Sequence, residues 1–191
     1  MQLLELALVL PFLLVLSAGV MDFAQAWNMR QILANAAREG ARYGSSQSPL
    51  DLSEATPPEI PRLCQVVADY LQQEHVDISF MNNTSNSGSS SSTVAGMCAN
   101  PGTVAGSCPA LASGGICVPS AWTYYSTGSY GLTIERSVPV AGSGGPATRV
   151  TLTYPYNWGM GFDSIVRIFG PSSYASTIPI PVYSTMLNLA N

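Results

Sequence analysis

Lysine is absent from this chain, and charged residues of both signs make up only 9 % of its 191 positions, against roughly 25 % in an ordinary soluble protein. The seven basic residues are all arginines, and the formal net charge is −4. They are scattered and form no basic run, which excludes the electrostatic footprint of a nucleic-acid surface. Histidine occurs once, as His75. It lies beside Glu74 at an expected helix end, where a capping or surface role is the default. A nucleophile elbow, a Walker loop, an H-E-x-x-H pair and an EF-hand loop are all missing. Gly142-Ser143-Gly144-Gly145 is glycine-rich but falls in an expected hairpin loop, without the strand-to-helix setting of phosphate binding. These absences predict no catalysis, no cofactor and no metal. Tyr124, Tyr125, Tyr130, Tyr154, Tyr156 and Trp158 could stack as a carbohydrate- or surface-binding patch, but core packing is the default for such residues.

Cysteine is scarce: Cys64, Cys98, Cys108 and Cys117. No two form a C-x-x-C pair, which argues against a zinc ribbon or a thioredoxin-like motif. An even number in a loop-rich, Ser-rich stretch predicts two disulfides and an oxidising compartment. Three pairings are open. Asn100-Pro101-Gly102 can fold back as a turn, which favours Cys98–Cys108 and leaves Cys64–Cys117 to staple a helix to a sheet.

What the chain does have is a long apolar start. Residues 1–21 carry one carboxylate, Glu5, and run without a breaker cluster into an amphipathic segment. An acid near the end of a membrane-length apolar segment is costly and usually functional. Three readings compete. A cleaved signal peptide needs a basic region before the apolar stretch, and Met1-Gln2-Leu3-Leu4-Glu5 is acidic. A simple anchor starting at Met1 misplaces the charges, because Arg30, Arg38 and Arg42 all follow the span; the cysteine-bearing part would then sit in the reducing cytosol. Both conflicts vanish if Met1 opens a mature chain from which a short basic leader has been removed.

The features Glu5 through Leu14, then Gly19, Asp22-Phe23, and Arg30-Gln31 with Asn35 through Tyr43, resemble the TadE-like branch of the type IV pilin superfamily. A glutamate at the fifth mature position is that superfamily's hallmark. The resemblance covers roughly the first 44 residues; weaker similarity lies at Val150–Tyr156 and Ser184–Leu187. It implies a pilin-like α+β fold, with a long protruding N-terminal helix (1–44) and an exterior head (45–191) bearing a second helix and an antiparallel sheet. It also implies a structural subunit that waits in the inner membrane and is polymerised with copies of itself into an extracellular filament. Its partners would be a prepilin peptidase and an ATP-driven assembly machine. A minor or tip pseudopilin, or a membrane-anchored exterior binding protein, are the alternatives.

On the residues themselves, a charged carboxylate in a low-dielectric setting must neutralise or find a partner. In a stack of identical helices the amino group of Met1 on one chain can answer Glu5 of the next, fixing register. Glu5 could instead merely serve the helix N-terminus at the membrane interface. Pro11 removes one backbone donor and should bend the helix modestly; Gly19 is a second weak point. Past Asp22, helical spacing gathers Phe23, Trp27, Ala34, Ala37 and Ala41 on one face, with Arg30 as an interloper. Met29, Ile32, Ala36 and Tyr43 form a second face. Two apolar faces predict two contacts, one with the chain's own head and one with neighbours. The candidate assembly residues are therefore Met1, Glu5, Pro11, Gly19, Phe23, Trp27 and Arg30.

In the head, Pro58 to Glu74 predicts a helix with Ile60, Leu63, Val66, Val67, Tyr70 and Leu71 inward. Val76–Phe80 alternates and predicts a strand. Residues 81–93 form a polar low-complexity tip, with an N-glycosylation sequon at Asn83. Ile116–Tyr125, Gly131–Val140, Thr148–Tyr156 and Tyr183–Leu189 are the expected sheet strands. Pro179 and Pro181 keep residues 178–182 off a central strand. Asp163–Phe169 is the site of an expected helical turn.

Overall fold

The computed structural model describes residues 2–47, 59–82, 93–99, 101–103, 121–125, 130–139, 146–157 and 177–188. It has the expected α+β architecture: a long N-terminal helix followed by a small head with a helix and an antiparallel sheet. Helix α1 runs Gln2–Ser46 and contains Pro11 within its span. Helix α2 is Glu59–Gln73, and α3 is a single turn, Val94–Met97. The strands are β1 (Gly102–Thr103), β2 (Ala121–Tyr125), β3 (Gly131–Pro139), β4 (Pro146–Asn157) and β5 (Thr177–Leu187), in sheet order β1-β2-β3-β4-β5. Pairs β1–β2, β2–β3 and β3–β4 are antiparallel. The bonds Thr148 to Asn188 and Arg149 to Thr185 run in opposite chain sense, as antiparallel β4 and β5 require. Pro179 and Pro181 lie inside β5, at the end of the sheet order, where a missing backbone donor is tolerated.

Two compact units are present. One comprises Met1–Gln31 with Pro155–Pro179, the other Ile32–Tyr154 with Ile180–Asn191. In the second unit the core follows from strand register. Trp122 lies opposite Ile134 and Ile134 opposite Val150; Tyr124 lies opposite Leu132 and Leu132 opposite Leu152. All six side chains are buried, because alternate residues of a strand face the same side. Helix α2 turns Ile60, Leu63, Val67 and Leu71 inward at i, i+3, i+7 and i+11; Val66 and Tyr70, expected inward as well, are only half-buried. It ends in a Schellman arrangement: Val76 N–H donates to Leu71 O and His75 N–H to Gln72 O. His75 occupies the left-handed position there, with φ 59°.

The C-terminal part of α1 buries Leu33, Ala36, Ala37, Gly40, Ala41 and Gly44, one stripe at i, i+3, i+4, i+7, i+8 and i+11. This corrects the two-face expectation. Ala37 and Ala41, assigned to one face, share a single buried stripe with Ala36 from the other, because adjacent positions on a helix lie only about 100° apart. A β-carbon on Gly40 would lie 2.5 Å from Val67 Cγ2, and one on Gly44 would lie 2.8 Å from both Leu63 Cδ1 and Thr148 Cγ2. Glycine is required here by close approach of the α1 backbone to α2 and β4. Arg136, almost fully buried on β3, donates to the carbonyls of Gly44 (3.4 Å) and Gln47 (3.3 Å). No basic residue lies in α1's own last turn, so a strand residue supplies the cation that the helix C-terminus favours. The register slips by one residue between Glu135 and Val138, a bulge of the kind that re-aims a side chain.

Two further expectations are corrected. Val76–Phe80 is not a strand. Its alternation is real, since Val76, Ile78 and Phe80 are buried, but Asp77 accepts both the backbone N–H and the hydroxyl of Ser79 at 2.9 Å. That local bonding competes with a ladder, and Ser79–Met81 forms a 3-10 turn. The cysteine pairing also differs: Cys64 bonds Cys98, with Cα atoms 5.6 Å apart. The disulfide ties α2 to the residue capping α3, so Cys98 is not available to Cys108 nor Cys64 to Cys117. Cys108, Cys117, Asn83, Met1 and the expected turn at 163–169 lie outside the described residues.

Candidate functional site

The N-terminal part of α1 is mainly apolar and leaves most of its described large apolar side chains exposed. Leu6, Val9, Leu10, Phe12, Leu13, Leu14, Leu16, Val20, Met21, Phe23 and Trp27 are all exposed, Phe12 to 64 % and Val20 to 69 %. Soluble monomers rarely expose a continuous apolar surface of this extent. The only helix long and apolar enough to cross a membrane, among the described residues, lies in Val9–Ser46, with a mean hydropathy of 1.7 over its most apolar window.

Within this surface the expected assembly residues take definite places. Glu5 is exposed, at the start of the apolar run. Pro11 is exposed and the helix is continuous through it; Gly19 is half-buried. Ser17 donates its hydroxyl to Leu14 O at 2.9 Å, so a polar side chain is satisfied inside the helix, as an apolar surrounding demands. Phe23 and Trp27 stack with ring centroids 6.4 Å apart. The Arg30 guanidinium lies 5.8 Å from the centre of the Trp27 ring, a cation–π contact.

Residues 2–42 match the family model for TadE-like proteins. The matched stretch holds the whole exposed apolar surface and most of the buried stripe that follows it. Comparisons with curated proteins and with solved structures find no match. The TadE-like match lies within α1 and does not reach the head.

One residue in that segment was not singled out as a site from sequence. Asp22 is fully buried, and its backbone carbonyl accepts the hydroxyl of buried Tyr156 at 3.4 Å. A carboxylate amid exposed apolar neighbours was the available signal. In the other unit, Glu135, Arg149, Thr151 and Tyr183 line a shallow open depression on the sheet. Arg149 there pairs with Glu135 at 3.6 Å and donates to Thr185 at 3.4 Å. Both charges are part-exposed, which makes the pair worth little to stability. Burial pushes the Tyr124 hydroxyl well above its ordinary pKa of 10.0. Tyr154 is raised by partial burial and, secondarily, by Asp77.

Proposed function

We propose that the chain is a non-catalytic structural pilin subunit that polymerises through the exposed half of α1 into an extracellular filament. One observation carries this reading: a TadE-like helix whose large apolar side chains from Leu6 to Trp27 face outward. Such a surface is stable in lipid or against copies of itself. Burial contributes about 25 cal/mol per Å² of apolar area, so the helix needs one of these two surroundings at every stage. In the membrane, lipid supplies it; in the filament, neighbouring helices do. The head is displayed outward in both. A leader-cleaving prepilin peptidase and an inner-membrane assembly machine are the implied partners.

Glu5 selects register in this scheme. Placed among packed apolar helices it must lose its charge or find a partner, and this reading gives it a cationic group of the adjacent subunit, because an unanswered buried charge costs about 3–5 kcal/mol. Glu5→Ala is the test. Sheared fibres should fall by roughly a hundredfold, the equivalent of about 3 kcal/mol, while membrane-bound subunit persists. Unchanged fibre yield refutes the reading. Should the chain occur only at fibre tips, with another protein as the bulk, it acts as a minor pseudopilin; mass spectrometry of purified fibres separates the two.

A further inference from the structure

The exposed apolar surface of α1 stops at an ordered group of three side chains. Phe23 and Trp27 stack one turn apart, and Arg30, a turn further on, covers the Trp27 ring. From Leu6 to Trp27 the one ionisable residue is Asp22, and it is buried. After Trp27, exposed polar groups follow at once: Arg30, Gln31, Asn35, Arg38, Glu39 and Arg42. Gln25 and Asn28 are exposed as well, so the helix surface turns polar over about one turn on either side of Trp27.

Length fits the same boundary. Leu6 to Trp27 spans about 32 Å at about 1.5 Å per residue, against about 30 Å of bilayer hydrocarbon. Tryptophan has an apolar body and one N–H, and it is enriched where hydrocarbon meets headgroups. A guanidinium offers a planar fork of donors that matches a phosphate. An arginine positioned over an exposed indole, at the end of a hydrocarbon-length surface, meets both demands of that zone.

We propose that Phe23, Trp27 and Arg30 form an interfacial anchor for phospholipid. Phe23 and the Trp27 ring lie at the level of the lipid carbonyls, and the Arg30 guanidinium binds the phosphate of an adjacent lipid. This rests on the membrane-resident stage of the proposed function and adds to it the depth of the helix. With Trp27 at one boundary, Glu5 is placed at the opposite headgroup layer, where a carboxylate stays hydrated until assembly begins.

The experiment is depth-dependent quenching of tryptophan emission. The full chain is reconstituted in vesicles of phosphatidylcholine and phosphatidylglycerol, brominated either near the carbonyls or near the chain ends. Subtracting the signal of Trp27→Phe isolates Trp27 from Trp122 and Trp158; unchanged Trp122 emission reports an intact head. Trp27 should be quenched about twofold more by shallow than by deep bromine. Arg30→Gln should remove much of that preference, and Arg38→Gln should leave it intact. Chains that float with the vesicles but show Trp27 quenched most by deep bromine, or only by aqueous iodide, overturn the anchor and leave the membrane reading standing. Chains that float, with Trp27 shielded from every quencher until diluted in lipid, show that a second copy covers the site, which also overturns it. Chains that do not float overturn the anchor and the membrane stage together.

Discussion

Replacing Gly40 by alanine probes whether α1 is locked to the head by close backbone approach. The added β-carbon would lie 2.5 Å from Val67 Cγ2, with Leu63 Cδ2 and Val150 Cγ1 each at 3.6 Å. All three neighbours are buried, so the valine methyl has little free volume to enter. Two effects oppose each other. Alanine gains about 1 kcal/mol of helix propensity over glycine. Overpacking a dense core costs about 1–3 kcal/mol. Because the contact is backed on two further sides, overpacking wins, and Gly40→Ala should lose up to about 2 kcal/mol. Val67→Ala alone should cost roughly 2 kcal/mol for the cavity it leaves. Combined, the new β-carbon fills part of the space that the valine vacates. The double variant should therefore be about 1 kcal/mol more stable than the sum of the singles. Urea unfolding of the chain in detergent, in a background with Trp27→Phe and Trp158→Phe so that emission reports buried Trp122, measures all three. A Gly40→Ala chain at least as stable as its parent, or strict additivity with Val67→Ala, would refute the argument.

Three further outcomes are expected. Arg136→Met keeps the aliphatic stem but leaves the Gly44 and Gln47 carbonyls without their charged donor, which should cost about 1.5–3 kcal/mol; amide exchange in the last turn of α1 should rise with it. His75→Gly should stabilise by about 0.5–1 kcal/mol, because glycine takes the left-handed position without the steric cost of a β-carbon; an unchanged urea midpoint would argue that the His75 side chain offsets that strain. Tyr124 and Tyr154 predict alkaline lability. Their folded pKa values lie above the ordinary 10.0, so their contribution is complete below that pH. It is lost as pH rises through the window up to the folded values, at up to about 1.4 kcal/mol per pH unit for Tyr124; Tyr154 is part-exposed and screened by solvent, so its share is smaller. Tyr124→Phe should flatten the fall in a series of urea midpoints taken across alkaline pH.

Periodicity made much of this fold legible. The inward stripe Ile60, Leu63, Val67, Leu71 and the alternation Val150, Leu152 each match a repeat that local geometry imposes. Glu5 and the apolar run were visible because charge is so rare here. The misses share a different cause. Asp77 and Ser79 look like the polar half of a strand, and only the reach of one carboxylate to the next-but-one residue turns them into a 3-10 turn. Asn100-Pro101-Gly102 favoured a short cysteine loop, whereas the bond joins Cys64 to Cys98 across a sequence separation of 34; spacing carries no information on pairing at that range. The roles of Arg136 and Tyr156 depend on long-range contacts with α1, 92 and 134 residues away in sequence. No local pattern encodes such partners.

The glycines of α1 bear directly on how copies could pack. Gly40 and Gly44 have the small-xxx-small spacing that brings two apolar helices into close contact. Here that face is filled by the head's own Val67, Leu63 and Thr148, and so is closed to a second subunit. Under the proposed assembly, contacts between subunits fall instead to the stretch from Leu6 to Trp27, where large Leu, Val, Met, Phe and Trp side chains are exposed. Helices meeting through such side chains interdigitate at about 8–10 Å between axes, and the contact depends on side-chain shape more than on backbone approach. Truncating Phe12 or Leu13 to alanine should therefore weaken fibres while the head stays as stable as before, whereas Gly40→Ala should weaken the head first. A fibre defect from Phe12→Ala that was matched by an equal loss of head stability would place both effects on one contact, and the division of labour along α1 would be wrong.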